Sequence, residues 1–319
     1  MMTLQRFLRR TEDGLATLLD LYKVPPTRRQ AALAKRLAAD LDTVGAAAGN
    51  ASPFWAEICQ DLGHRAHTQD PRYFLRWPPI GATMVHGAAP VTFRMLSMLR
   101  RSGVWRTRWA PALRHKQHGH PPPFAPMLST NAMAIEHAAH LCRFGQRIGR
   151  DLFDADCVIE FGGGFGSMCR MVHALGFRGR YVIFDLPPVL ALQRYYLGLH
   201  GIDASFDAAA QVWLCPDLGL IQAELDRAAA RRVALMSTWA MSEMPLAVRR
   251  EIEPFFARPG ATLALLAYQP RFEDNDNHAY FRGLMERTGI RWQWMELPVD
   301  PSSARLEPGE SAYLFGTAR

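Results

Sequence analysis

A glycine-rich turn follows a short apolar segment in the second half of the chain, and its spacing discriminates between ligands. The segment Val158–Gly166 reads V-I-E-F-G-G-G-F-G. It places a carboxylate at Glu160 and glycines at every second position, Gly162, Gly164 and Gly166. Glycines let backbone N–H groups approach a ligand closely, at the positive end of the helix that follows. A dinucleotide site favours G-x-G-x-x-G, whereas the pattern here is E-x-G-x-G-x-G, which leaves NAD or FAD as the minor alternative.

A second carboxylate ends the next apolar segment. Asp185 follows Tyr181–Phe184 and lies 19 residues after Gly166. An acidic residue at the tip of a second strand can accept hydrogen bonds from both hydroxyls of a ribose. A turn without a ligand and a surface aspartate are the structural alternatives, but the order and spacing of the two features favour a site. We therefore interpret Asp185 as a ribose ligand.

A third motif makes the combination resemble known methyltransferases. The turn resembles motif I of the class I S-adenosylmethionine (SAM)-dependent methyltransferases, in which it holds the amino acid part of SAM. Residues 235–245 read L-M-S-T-W-A-M-S-E-M-P, and residues 276–281 read D-N-H-A-Y-F. With D-L-P at 185–187, these motifs resemble the sugar O-methyltransferase family over residues 130–319.

The resemblance implies particular site residues. The implied SAM contacts are Glu160, Gly162, Gly164, Phe165, Gly166, Asp185, Leu186, Ser237 and Thr238, with 215–218 flanking the adenine. The implied substrate-binding residues, past the fifth strand, are Gln269, Asn277 and Tyr280. The implied catalytic residues are Trp239, Glu243 and His278, and no metal is expected.

The catalytic roles have simple chemistry. Trp239 can offer a π face to the sulfonium cation, worth roughly 0.5–2 kcal/mol. Glu243 can accept a substrate proton or bind the SAM ammonium group, and His278 is a second candidate base. Packing of Trp239 and a helix N-terminal charge at Glu243 are the structural alternatives.

Three functions remain open from the sequence. The first is methyl transfer from SAM to a small-molecule hydroxyl or amine in secondary metabolism. The second is a SAM cyclase or lyase of the azetidine-2-carboxylate synthase type, in which SAM is itself the substrate and methylthioadenosine leaves. The third is a non-catalytic SAM-binding module, which the intact turn and Asp185 disfavour.

The composition sets broad limits on the class of protein. The chain has 319 residues, of which 49% are hydrophobic and 21% charged, which excludes a disordered or low-complexity protein. Five cysteines without a C-x-x-C pair argue against a disulfide framework or a structural zinc site. Without a signal-peptide pattern or a long apolar run, we expect a cytoplasmic protein that does not bind membranes.

The charge is unevenly distributed along the chain. Residues 1–150 carry a net charge of +12 and residues 151–319 one of −5, which together give the overall +7. The basic half suggests contact with the acidic half, with an acidic partner or with an anionic substrate. The basic residues are scattered and no nucleic-acid-binding motif is present, so we expect a small-molecule substrate and no nucleic acid. Three histidines beside a proline run, His115, His118 and His120, are interpreted as surface residues rather than metal ligands.

The secondary structure predicted to position these residues changes near residue 149, from helices alone to alternating strands and helices. The first 149 residues are predicted to form a helical module that acts as a lid or a homodimer face, with one helix over 131–147 capped by Ser129 or Thr130. Residues 150–319 alternate apolar segments with helical ones, with strands predicted at 157–161, 181–184, 233–236, 262–268, 291–295 and 312–315. This alternation predicts an α/β fold in which a Rossmann-like class I methyltransferase sheet carries a SAM-binding domain.

Overall fold

The computed structural model describes residues 25–45, 51–227 and 232–319. The helical segment expected before residue 25 lies outside these ranges. The described α-helices before residue 149 are α1 (Arg28–Val44), α2 (Pro53–Thr68), α3 (Pro78–Thr83), α4 (Pro90–Arg101), α5 (Ala110–Leu113) and α6 (Ala132–Ile148). Short 3₁₀ turns at Pro71–Arg76 and Leu152–Asp154 and a π-helical turn at Trp105–Trp109 link them.

Strands and helices then alternate. The strands are β1 (Cys157–Phe161), β2 (Arg180–Phe184), β3 (Ala204–Ser205), β4 (Val212–Cys215), β5 (Val233–Thr238), β6 (Ala261–Tyr268), β7 (Arg271–Phe272), β8 (Asn275–Asp276), β9 (Trp292–Pro298) and β10 (Ala312–Ala318). The helices are α7 (Ser167–Ala174), α8 (Pro187–Leu199), α9 (Leu218–Arg227), α10 (Ala240–Glu243), α11 (Leu246–Ala257) and α12 (Asn277–Thr288).

Eight strands form one sheet in the order β3-β4-β2-β1-β5-β6-β10-β9. The pairings from β3 to β6 are parallel, and β10 runs antiparallel to both β6 and β9. Every residue of β1 is buried, as expected for a central strand covered by helices on both faces. The predicted α/β fold with a Rossmann-like sheet and a helical N-terminal module is confirmed.

The strand order reverses beside β1, and this reversal positions the site. The chain moves from β1 to β2 in one direction and later places β5 on the other side of β1. Ligands of open α/β sheets bind at such a switch point, beyond the carboxyl ends of the strands. Gly162 follows β1 at this edge, and Trp239 follows β5.

The N-terminal helices pack directly on the sheet domain. Helix α6 is buried over most of its length and contacts α4, α7 and β10. Helix α1 lies on α8, where Asp40 and Arg194 form an ion pair of 3.0 Å. The helix at 131–147 was predicted correctly, but its cap was not, because the Asn131 side chain accepts the Ala134 N–H at 2.9 Å. A role as lid or homodimer face stays a prediction.

Within the described ranges, no helix combines the length and the apolar character needed to cross a membrane.

Candidate functional site

The glycine turn after β1 adopts a conformation that its glycines make available. Gly162, Gly164 and Gly166 have φ angles of 78°, 52° and 93°, in the left-handed region that favours glycine. A Cβ on Gly162 would lie 2.0 Å from the Ala240 Cβ, so this glycine lets α10 approach the turn. A Cβ on Gly164 would meet no protein atom within 4 Å. The turn therefore packs tightly at Gly162 and opens at Gly164.

Asp185 joins the turn to the end of β2. One carboxylate oxygen, Oδ2, accepts the Gly163 N–H at 2.9 Å, and the other, Oδ1, accepts the Leu186 N–H at 2.8 Å. Burial raises the pKa of this carboxyl to about 7, although these N–H donors act in the opposite direction. A carboxylate accepts about four hydrogen bonds in all, so Oδ1 of Asp185 retains capacity for a hydroxyl donor.

A glutamine that the sequence analysis did not identify supports both features. The Gln193 side chain, on α8, donates from Nε2 to the Gly164 carbonyl at 2.9 Å and to Asp185 Oδ2 at 2.7 Å. It is fully buried. Gln193 thus fixes the turn relative to the carboxylate, and no motif in the sequence identifies it.

Glu160 is the most deeply buried acid of the site. It is the penultimate residue of β1, has 1% of its surface exposed and accepts the Tyr181 hydroxyl at 2.7 Å. Burial raises the pKa of Glu160 to about 8, and the nearby Asp185 adds to the rise. This carboxyl is therefore largely protonated at neutral pH.

The loop after β5 holds Trp239 in an unusual backbone conformation. Its φ is 75° and its ψ is −46°, a region that costs of order 1–3 kcal/mol for a residue with a side chain. The Trp239 N–H donates to the Ala267 carbonyl at 2.7 Å, and the Ser242 N–H donates to the Trp239 carbonyl at 2.9 Å. Such strain, stabilised by neighbouring elements, is typical of functional positions.

Glu243 ends the short helix α10 and meets the N-terminal helices. Its Oε2 accepts the Trp55 indole N–H at 3.2 Å, and its Oε1 accepts the Gln269 amide at 3.3 Å. Burial raises the pKa of Glu243 to about 7, whereas the two hydrogen bonds lower it. A carboxyl with this pKa can exchange a proton with a ligand near neutral pH.

These elements enclose a cavity of about 650 Å³, a size typical of small-molecule sites. The N-terminal helices supply a wall that the sequence analysis did not identify, which includes Ser52, Trp55, Met84, His86, Met133 and His137. At the opposite end lie Pro216, Asp217 and Leu218, in the segment expected to flank an adenine.

The cavity is acidic. Its described lining contains five carboxyl groups, at Glu160, Asp185, Asp217, Glu243 and Glu251, and neither lysine nor arginine. Its two histidines do not supply positive charge, because burial lowers the pKa of both His86 and His137. A lining with carboxyl groups and no basic side chain that carries positive charge favours cationic or neutral ligands over anionic ones.

The structure brings most of the predicted site residues together. Lining the cavity are Glu160, Gly162, Gly164, Phe165, Asp185, Leu186, Thr238, Trp239, Glu243 and Gln269. Whether each performs its predicted role stays a prediction.

Five other predicted residues do not line the cavity, and two of them support the loops around it. Ser237 is fully buried, donates to the Phe161 carbonyl at 2.8 Å and accepts the Met241 N–H at 3.0 Å. Gly166 starts α7 behind the turn. Both hold the site in shape from outside its lining.

The other three predicted residues follow β8. Asn277 is fully buried and accepts Nη1 of Arg249 at 2.7 Å. The Tyr280 hydroxyl donates to Glu253 at 3.1 Å, and the His278 ring contacts the Tyr268 hydroxyl at 3.3 Å. Each of these side chains has a partner among residues outside the described cavity lining, so the structure does not place them at the cavity, and their roles in substrate binding or catalysis stay predictions.

Comparisons with known proteins give distant structural likenesses. No family model matches the chain, and no curated protein matches it. Similar solved structures include the methyltransferase domain of bacterial CtHen1-CN (13% identity, 56% of this chain and 97% of that one, TM-score 0.39). Another is the 16S rRNA methyltransferase RmtF with S-adenosyl-L-homocysteine (12% identity, 92% of this chain and 100% of that one, TM-score 0.36). A third is the glycopeptide N-methyltransferase MtfA with the same ligand (14% identity, 56% of this chain and 87% of that one, TM-score 0.37). These similarities do not show to which family the chain belongs. Membership of the sugar O-methyltransferase family stays a prediction.

Proposed function

We propose that the chain is a SAM-dependent enzyme that transfers a methyl group to the hydroxyl or amine of a small molecule. The observation that carries the proposal is the acidic cavity over the glycine turn, at the carboxyl ends of β1, β2 and β5. SAM is a cation with an adenosine end and an amino acid end, and the cavity has matching features along its length. A dinucleotide carries a negatively charged pyrophosphate, for which the described lining offers neither lysine nor arginine as an ionic partner.

The residues present fit SAM. The opening at Gly164 leaves backbone beside free space for the amino acid part, and Asp185 offers carboxylate oxygens to the ribose hydroxyls. Asp217 and Leu218 line the end proposed for the adenine. When bound, SAM supplies an electrophilic methyl group on a positively charged sulfur.

The walls of the cavity suit an uncharged or cationic acceptor. The lining formed by Trp55, His86 and Met133 extends beyond the residues assigned to SAM, which leaves space for a second molecule. Since no described lysine or arginine lines it, a phosphorylated or carboxylated acceptor would have no ionic partner there. This supports a hydroxyl or amine acceptor of small size over a polyanionic one.

Glu243 is proposed to act as the base. It takes the proton that the acceptor hydroxyl or amine loses as that oxygen or nitrogen bonds to the methyl carbon. Its pKa of about 7 makes the carboxylate available at neutral pH while keeping it basic enough to accept a proton. The indole N–H of Trp55 and the amide of Gln269 orient it.

Product analysis by mass spectrometry tests the proposed reaction. The purified chain is incubated with SAM alone and with SAM plus mixed small alcohols and amines. S-adenosylhomocysteine that forms only with an acceptor supports methyl transfer. Methylthioadenosine formed from SAM alone would overturn it in favour of the azetidine-2-carboxylate type of cyclisation. SAM binding without any product across acceptors would instead favour a non-catalytic module.

Replacing Asp185 by alanine should weaken SAM binding by about 1.5–3 kcal/mol, the usual worth of hydrogen bonds to a charged group. Titration calorimetry measures the loss, and Asp203→Ala, at an exposed acid outside the cavity, is the matched control. Asp185→Asn retains one oxygen acceptor and should fall between the two. An Asp185→Ala protein that binds SAM normally but loses affinity for NAD would show that the cofactor assignment is wrong.

Replacing Trp239 by alanine should lower turnover more than tenfold, a barrier increase above about 1.4 kcal/mol. The indole face is proposed to stabilise the sulfonium cation and to exclude water. Trp239→Phe retains an aromatic face and should keep more activity. Alanine and phenylalanine both occupy the strained backbone at φ 75°, so their comparison isolates the side chain.

The uncharged product separates the cation contact from packing in the same variant. S-adenosylhomocysteine should lose less affinity than SAM in Trp239→Ala, as measured by calorimetry. Equal losses for both ligands, or equal turnover of the two variants, would show that Trp239 only packs.

A further inference from the structure

A buried arginine behind the glycine turn has no acidic partner in the described part of the chain. Arg170, on α7, is 4% exposed. Its Nη1 donates to the Ala112 carbonyl at 3.3 Å, and the Tyr196 phenol contacts the guanidinium group, whereas Nε and Nη2 have no hydrogen-bond partner. A buried guanidinium group normally pairs with a carboxylate, because desolvating an unpaired charge is costly. Nε and Nη2 are adjacent nitrogens of one fork, which matches two oxygens of one anion.

Imidazoles gather around the phenol that contacts this arginine, since the Tyr196 ring lies 4.7 Å from the His200 ring, between centroids. The His200 ring, just after α8, lies 4.9 Å from the His118 ring and 5.7 Å from the His115 ring, between centroids. The Nε2 atoms of His115 and His200 are buried and have no hydrogen-bond partner. The interpretation of His115 and His118 as surface residues is therefore wrong, because both are half-buried against α8.

The charged groups around this cluster are basic. Burial is the main cause that lowers the pKa of His115 to about 3 and that of His200 to about 2, and the positive charge of Arg170 adds to both effects. Lys116, on the same loop as His115, lowers the pKa of His200 as well. Arg29 of α1 donates to the Gly198 carbonyl at 2.8 Å, and its charge lowers the pKa of His118.

We propose that Arg170, His115 and His200 form a binding site for a phosphate group. A tetrahedral oxyanion can accept the two N–H groups of the Arg170 fork on two of its oxygens and direct the remaining oxygens to the imidazoles, which donate as their Nε2–H tautomers, whereas a planar carboxylate that faces the fork has both of its oxygens there. The anion would neutralise a buried cation and join α7, the end of α8 and the loop at 114–120. None of the three residues lines the acidic cavity, so this site is separate from the proposed SAM site.

Phosphate titration of the purified chain tests this site. In phosphorus NMR, the wild type should broaden the line of inorganic phosphate. The affinity for phosphate obtained from this titration should be at least tenfold lower for Arg170→Met. Arg36→Met, which removes an exposed arginine of α1, is the matched control and should bind as wild type. Glycerol phosphate and acetate are parallel arms. Stronger binding of glycerol phosphate assigns the site to a phosphorylated metabolite, stronger binding of inorganic phosphate assigns it to the free ion, and preference for acetate overturns the phosphate assignment.

Thermal unfolding provides an independent measurement. At constant ionic strength, millimolar phosphate should raise the unfolding temperature of the wild type by roughly 2 °C or more, and that of Arg170→Met by less. In chloride alone, Arg170→Met should be at least as stable as the wild type, because it removes an unpaired buried charge. Equal phosphate effects in the two proteins would overturn the site. If Arg170→Met fails to fold, His200→Gln is tested in its place. Phosphate binding by His200→Gln that equals that of the wild type would likewise overturn the site.

Discussion

Replacing Gly164 by valine should reduce SAM binding more than a hundredfold in a protein that still folds. A Cβ at this position meets no protein atom within 4 Å, and the residue lines the cavity, so the valine side chain would occupy ligand space rather than clash with the fold. The φ of 52° adds backbone strain, which costs stability but does not act on the ligand directly.

A matched glycine separates these two effects. Gly149, at the end of α6, has a φ of 72°, also has no protein atom within 4 Å of an added Cβ, and lies outside the cavity. Gly149→Val should therefore lose a similar amount of stability and keep its affinity for SAM. Calorimetric titration of both variants, with circular dichroism to confirm folding, makes the comparison. Normal SAM affinity in folded Gly164→Val would disprove the assignment of the turn as the SAM site.

Local patterns predicted the main elements because each signal lies within a few residues. The six predicted strands all occur. Most of them are apolar runs, such as Thr262–Tyr268, that are buried in the sheet, whereas β9 is an edge strand whose residues are partly exposed. Strands β3, β4, β7 and β8 were missed, because they span only two to four residues and carry no alternation to recognise. The antiparallel direction of β10 depends on the long connections around it, which no local pattern encodes.

The site was predictable where its residues follow strand ends and unpredictable where they meet across the fold. Glu160 and Asp185 were found because parallel strands place their carboxyl ends at one edge. Trp55 contacts Glu243 across 188 residues of sequence, and a pattern within either segment cannot indicate that pairing. Asn277 shows the same limit from the other side. Its side chain accepts a hydrogen bond from Arg249 and does not line the cavity, a pairing across 28 residues that no local pattern indicates.

The pH dependence of turnover should reveal Glu243 as the base. Burial raises the pKa of this carboxyl to about 7, and only its deprotonated form can accept a proton. Turnover should therefore be low below pH 6, rise through pH 7 and level off above pH 8. Burial also raises the pKa of Glu160 to about 8 and that of Asp185 to about 7, so the titration of these two proposed SAM contacts falls in the same pH range. SAM affinity is therefore measured across this range, and turnover is compared at saturating SAM.

Replacing Glu243 by glutamine should lower kcat by about 100- to 10,000-fold and remove the acidic limb of the profile. Glutamine keeps the size of the side chain and an oxygen that can accept the Trp55 indole N–H, so SAM affinity should change far less than kcat. Glu286→Gln, which neutralises an exposed acid on α12, is the control for overall charge. A base role for Glu243 is excluded by a Glu243→Gln enzyme of near-normal kcat, and equally by an acidic limb that persists in that variant.

The hydrogen bond from Trp55 to Glu243 predicts the direction in which the pKa of Glu243 changes when the bond is lost, which a packing role alone does not predict. The Trp55 indole N–H stabilises the charged form of Glu243 and so lowers its pKa. Trp55→Phe keeps the aromatic packing but removes the donor, so the acidic limb should move to higher pH while turnover above it is largely retained. Gln269→Leu removes the second donor and should move the limb in the same direction. A limb that stays in place in both variants would mean that a group other than Glu243 titrates, since the loss of either hydrogen bond must raise the pKa of this carboxyl.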